Sequence, residues 1–76
     1  MIKEHDRVVL ATDVSSEGLV SGDVGTVVHV YRDGQAYEVE FFTLEGKTAA
    51  VITLAASQLR PVGKREITHA RELVKR

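Results

Sequence analysis

Val24-Gly25-Thr26-Val27-Val28-His29-Val30-Tyr31 is the stretch that decides the fold of this chain. Most of its side chains are β-branched, which fits a pleated strand better than a helix. Alternation puts Val24, Thr26, Val28 and Val30 on one face and Gly25, Val27, His29 and Tyr31 on the other. Arg32-Asp33-Gly34-Gln35 follows, and Asp-Gly between two strands predicts a hairpin, with positive φ at both residues of a type I′ turn. The chain returns as Ala36-Tyr37-Glu38-Val39-Glu40-Phe41-Phe42. Tyr37, Val39 and Phe41 share one face, and Glu38 and Glu40 share the other, which must be wet. Val28, Val30, Val39 and Phe41 are the expected core.

Outward from this hairpin, Arg7-Val-Val-Leu-Ala11 reads as a first strand. Residues 12–23 carry Asp13, Ser15, Ser16, Glu17, Gly18, Ser21, Gly22 and Asp23 and read as a long loop, fastened by Val14, Leu19 and Val20. Glu45-Gly46 predicts a second tight turn and residues 48–54 a fourth strand. Residues 55–59 suit a single 3₁₀ turn, and Arg60-Pro61-Val62 a last short strand whose proline is tolerated at a strand start or edge. The expected fold is therefore mostly β, a five-stranded SH3-like small barrel over residues 1–63. Closure of such a sheet would remove its exposed edges. Residues 64–76 form a basic tail in which Ile67, Ala70, Leu73 and Val74 recur at helical spacing. A short amphipathic C-terminal helix is expected there, ordered only if it docks.

Of the 76 residues, 43% are hydrophobic, enough for one compact core. There is no cysteine, which excludes a disulfide scaffold and a thiolate nucleophile. The N-terminus lacks an apolar signal core, and no apolar run reaches the roughly 18 residues of a membrane span. The expected location is the cytoplasm, with no membrane association. Residues 1–63 hold five bases against nine acids, a balance of −4, and residues 64–76 hold five bases against two acids, a balance of +3. An acidic body with a basic tail disfavours nucleic acid as a partner, because a binding face for phosphate should itself be positive.

Gly22-Asp23-Val24-Gly25-Thr26-Val27-Val28-His29-Val30 resembles the entry hairpin of KOW-type and related SH3-like barrels. Tyr37-Glu38-Val39-Glu40-Phe41 and Leu59-Arg60-Pro61-Val62 extend the match. Residues 5–62 together look like a bacterial family of small stand-alone domains of unknown function. Domains of that kind sit beside toxin domains, and the resemblance implies an antitoxin or immunity role.

The residues themselves offer little chemistry. His5, His29 and His69 share no local spacing that would place two on one metal, so neither metal nor other cofactor is expected. Ser15, Ser16, Ser21 and Ser57 stand in turn contexts and outside any Gly-x-Ser-x-Gly elbow. Gly22-Asp23-Val24-Gly25 lacks the Gly-Lys-Ser/Thr end of a phosphate loop. Glu38 and Glu40 lie roughly 7 Å apart on one strand face, but a wet, convex face makes a poor catalytic cleft. It better fits an acidic patch for a basic partner.

One face remains to be explained. Val27, His29 and Tyr31, with Phe42 on the next strand, lie opposite the expected core, and a barrel this small cannot bury both faces of its sheet. The expected contact patch is Val27, His29, Tyr31, Glu38, Glu40 and Phe42. The apolar stripe of the tail, including Ile67 and Leu73, is expected to cover it within the chain, or to reach a second copy and form a homo-oligomer. Otherwise the patch serves a foreign protein. The expected function is a non-enzymatic protein-interaction module of antitoxin or immunity type. The alternative is a KOW-like nucleic-acid or ribosome-associated domain using Tyr31, Tyr37, Arg32 and the basic tail.

Overall fold

The Val24–Tyr31 run is a strand from end to end and occupies the centre of a five-stranded sheet. The computed structural model describes residues 1–73. Strands β1 (Arg7–Leu10), β2 (Val24–Tyr31), β3 (Ala36–Phe42), β4 (Thr48–Ala55) and β5 (Leu59–Pro61) are joined by 3₁₀ turns at Ser15–Glu17, Arg32–Gly34 and Ala56–Gln58. All neighbours run antiparallel, in the order β4-β3-β2-β1-β5. No helix of the described residues is long and apolar enough to cross a membrane.

The strands form one open sheet, with β4 and β5 as its two edges, where a closed barrel was expected. The 3₁₀ turn at Ala56–Gln58 redirects the chain at the end of β4. Gln58 Oε1 accepts from Ala55 N–H at 2.8 Å, and Ala11 N–H donates to the Gln58 carbonyl at 2.7 Å. These bonds hand β5 to β1 and away from β4.

A β-bulge sets which face of β2 is buried. Val27 pairs with Val39 and His29 pairs with Glu38, so Val28 is an extra residue with no partner on β3. Before the bulge, Gly25 and Val27 point inward. After it the phase shifts by one residue: Val30 packs on the core while His29 and Tyr31 face out. Strict alternation therefore fails in the middle of the strand. Val27 is 0% exposed and belongs to the core, not to a contact patch, whereas Val28 is 39% exposed.

The core gathers Val8 and Leu10 from β1, Val27 from β2, Tyr37, Val39 and Phe41 from β3, Ala50 and Leu54 from β4, and Leu59 from β5. Leu19 joins them from the long loop. That loop folds back through the Val14–Leu19 bridge, so Leu19 is buried and Val14 half-buried, while Val20 stays exposed. Fully burying side chains such as Val8 or Leu10 stabilises the fold by about 1.5–3 kcal/mol each.

The β2–β3 connection is a four-residue loop closed by the Tyr31–Ala36 pair, longer than a two-residue type I′ turn. Asp33 and Gly34 do have positive φ (57° and 94°), and Arg32 joins them at 49°. Gln35 N–H closes the loop by donating to the Tyr31 and Arg32 carbonyls.

The expected C-terminal helix does not form among the described residues. Residues 66–73 have no regular secondary structure, and Ile67 is 92% exposed. A short helix must recover its nucleation cost by burying an apolar stripe, and Ile67 of this stripe is left in solvent. Val74, the last residue of that stripe, lies outside the described residues.

Candidate interaction face

The face of β2, β3 and β4 turned away from the core is the candidate site. The bulge at Val28 brings His29 and Tyr31 to it, in register with Glu38 and Ala36 of β3. Thr53 and Val51 of β4 lie opposite Glu38 and Glu40. The His29 and Tyr31 rings meet edge to face, with centroids 4.4 Å apart. Tyr31 Oη donates to Glu38 Oε1 at 2.6 Å, and this bond to a carboxylate raises the phenol above its ordinary pKa. Thr53 also hydrogen-bonds Tyr31 and opposes that shift. Thr48 Oγ1 donates to Glu40 Oε2 at 2.5 Å. His29 Nδ1 stands 3.8 Å from Glu4 Oε2.

These bonds fix the aromatic and acidic side chains in place but leave them open to solvent. Phe42 and Val51 are each 47% exposed. The result is an acidic, partly aromatic surface. Both candidate carboxylates are engaged with neighbouring hydroxyls. Among the described residues, no three His, Asp or Glu side chains gather as metal ligands.

Of the expected patch, the structure brings together His29, Tyr31, Glu38 and Glu40, with Phe42 exposed at the end of β3. Val27 is buried beneath the sheet. Tyr37, named for base stacking, is also buried, at 5% exposure, and cannot present its ring to a ligand. Thr48, Val51, Thr53 and Glu4 were missed. Alternation along β4 marks Val51 and Thr53 as one face, but only the β3–β4 register places them beside Glu40 and Glu38.

The described residues of the tail make their ion pairs away from Glu38 and Glu40. These residues are tied at two points toward the β1–β5 end of the sheet. Arg60 on β5 makes a two-pronged ion pair with Glu66, at 2.8 and 2.7 Å. Arg71 binds Asp23, just before β2, at 2.9 and 2.6 Å, and also donates to the Gly18 carbonyl at 3.0 Å. Partial burial raises the Asp23 carboxyl, but bonds from Arg71 and Val20 N–H outweigh it and the net shift is downward. β1 lies between these anchor strands. Its Val9, paired with Val24 and Arg60, is only 5% exposed although it stands outside the core cluster.

The Arg60 guanidinium and the Gly63 N–H hold the Glu66 carboxyl at about 2, against an ordinary 4.5. A depressed carboxylate pKa means that the clamp is fully formed above the ordinary value and is lost as pH falls toward the folded one. Carbon-detected NMR should show Glu66 titrating near 2 in the native chain and higher in Arg60→Ala, where only the Gly63 N–H still holds it down. An unchanged midpoint in the variant would mean that the pair does not form in solution.

A family model described as "Domain of unknown function (DUF4926)" matches residues 4–61. The chain belongs to this DUF4926 family. No curated protein and no solved structure matches it. The DUF4926 match begins at Glu4, beside His29, and ends at Pro61, the last residue of β5, so it takes in all five strands and the whole candidate face. Glu66 and Arg71, which tie down the tail, lie beyond it.

Proposed function

We propose that this DUF4926 domain is a non-enzymatic protein-interaction module whose outer β2–β4 face receives a basic partner protein. The observation that carries this reading is the uncovered face itself. His29, Tyr31, Glu38 and Glu40 are held in fixed positions by mutual contacts, with Phe42 and Val51 exposed alongside. Aromatic anchors inside a polar rim are typical of contact surfaces. Rigid carboxylates add steering toward a cationic partner. The antiparallel meander, with β5 returning beside β1, supports an SH3-like small barrel as the scaffold. The toxin-neighbouring resemblance of residues 5–62 supports restraint of a toxic protein, in the manner of an antitoxin, as the biological role.

The test is co-expression with a basic protein encoded beside the gene, followed by co-purification and a growth assay. The native chain should bind that protein and relieve its toxicity. Tyr31→Ala should weaken binding by about 30-fold, the loss of a 2 kcal/mol hot spot, with its circular dichroism unchanged. Binding that survives Tyr31→Ala and Phe42→Ser together would place the contact elsewhere. Sub-micromolar binding of oligonucleotides at about 150 mM salt, where screening acts within about 8 Å, would favour the nucleic-acid reading.

A further inference from the structure

The two edges of the sheet are built differently. β5 is three residues long and contains Pro61. Its Arg60 is held by Glu66 and also donates to the Pro61 carbonyl at 3.1 Å. Proline, charge and a short strand are the usual protections against edge-to-edge pairing. β4 has none of them. It runs for eight residues, Thr48-Ala-Ala-Val-Ile-Thr-Leu-Ala55, without a charge or a proline, and among the described residues it pairs only with β3.

The direction of its free backbone groups follows from its end. Ala55 N–H donates to Gln58 Oε1, while Ala56 N–H donates to the Gln35 carbonyl at the start of β3. Ala55 therefore points its backbone away from β3. Backbone direction alternates along a regular antiparallel strand, so Thr53 and Val51 also present their N–H and C=O groups outward, up to the bulge at Ala49, which has no partner on β3.

We propose that β4 pairs antiparallel with β4 of a second copy of this chain, about a two-fold axis through Val51. Continuity of the two faces requires outward residues to meet outward residues. Pairing about Val51 sets Val51 against Val51 and Ala49 against Thr53. Pairing about Thr53 would bring in Ala55, whose N–H is already taken by Gln58. The contact is isologous, and the strand carries no charge to repel its own copy. A foreign extended peptide would need pockets for alternate side chains beside the edge. Two surface depressions lie away from this edge, one around Met1–Glu4 and Val30 and the other around Val20–Asp23 and Arg71. The pairing joins two sheets into one and sets two acidic faces side by side. It rests on the sheet edge and stands apart from the reading of the outer face.

Light scattering and sedimentation of the full chain up to about 1 mM, the reach of a weak contact, should show the 8.4 kDa monomer doubling in mass. Amide exchange followed by NMR should show Val51 and Thr53 gaining protection as the dimer forms. Val51→Lys should weaken the dimer at least tenfold. Two lysines would face each other across the axis, while within one chain the new lysine lies opposite Glu40, a favourable cross-strand pair. Ile67→Ser with Leu73→Ser, both exposed tail positions, should leave the dimer intact. A monomer at every concentration, a dimer insensitive to Val51→Lys, or amides of Val51 and Thr53 that stay unprotected in the dimer would overturn the proposal.

Discussion

Val27→Asp is expected to unfold the domain, whereas Val28→Asp, one residue away, is expected to be tolerated. Val27 is 0% exposed and sits in the core beside Val39. No base lies among the core residues to pair with a new carboxylate. An unpaired buried charge loses several kcal/mol even after relaxation, against a total stability of about 5–15 kcal/mol for a typical domain and less margin in one this small. Val28 is the bulged residue and reaches water, at 39% exposure. An aspartate there stays solvated and loses no more than about 1 kcal/mol of strand preference. Urea unfolding followed by circular dichroism separates the two. Strict alternation along β2 would give the reverse ranking, so a tolerant position 27 and an intolerant position 28 would remove the bulge from the account.

The second large effect is expected at Gly25. Its neighbours across the β2–β3 ladder stand so close that a Cβ would lie 2.6 Å from Val39 Cγ1, 3.0 Å from the Glu40 carbonyl oxygen and 3.0 Å from Phe41 Cδ2. The Glu40 oxygen belongs to a backbone locked in register opposite Thr26. Val39 and Phe41 are buried on the core side and have little room to move. Overpacking of this kind typically costs about 1–3 kcal/mol and sometimes more. Gly25→Val, which adds two methyl groups beyond Cβ, is placed at the top of that range. The melting temperature should fall by about 4–8 °C per kcal/mol lost. A Gly25→Val chain that melts with the native one would show that β2 and β3 do not approach this closely.

The strands were legible because their signals are local. The β-branched run Val24–Tyr31, the Asp33-Gly34 and Glu45-Gly46 turns and the alternation Tyr37-Glu38-Val39-Glu40-Phe41 each act within a few residues. They mark β2, β3 and the start of β4 where the structure has them. The 3₁₀ turn before β5 and the burial of Leu19 were readable for the same reason. His29, Tyr31, Glu38 and Glu40 could be placed together because a hairpin with known ends fixes which residues face each other.

What the sequence by itself determined is thus a set of strands, turns and an acidic outer face, since propensity and alternation are properties of neighbouring residues. The tertiary structure decided the rest. The bulge at Val28 is a property of two paired strands: the count of residues between Val27–Val39 and His29–Glu38 differs on the two sides. No periodicity within β2 records it, and it exchanges the fates of Val27 and Val28. The tail was decided by partners distant in the chain. Helical spacing is a local signal, but Arg71 binds Asp23 across 48 residues, and Glu66 binds Arg60 on the last strand. Those charge-assisted bonds tie down a segment that has no regular secondary structure over residues 66–73. The open edge of β4 was settled in the same way, because pairing β5 with β1 leaves β4 with a single neighbour.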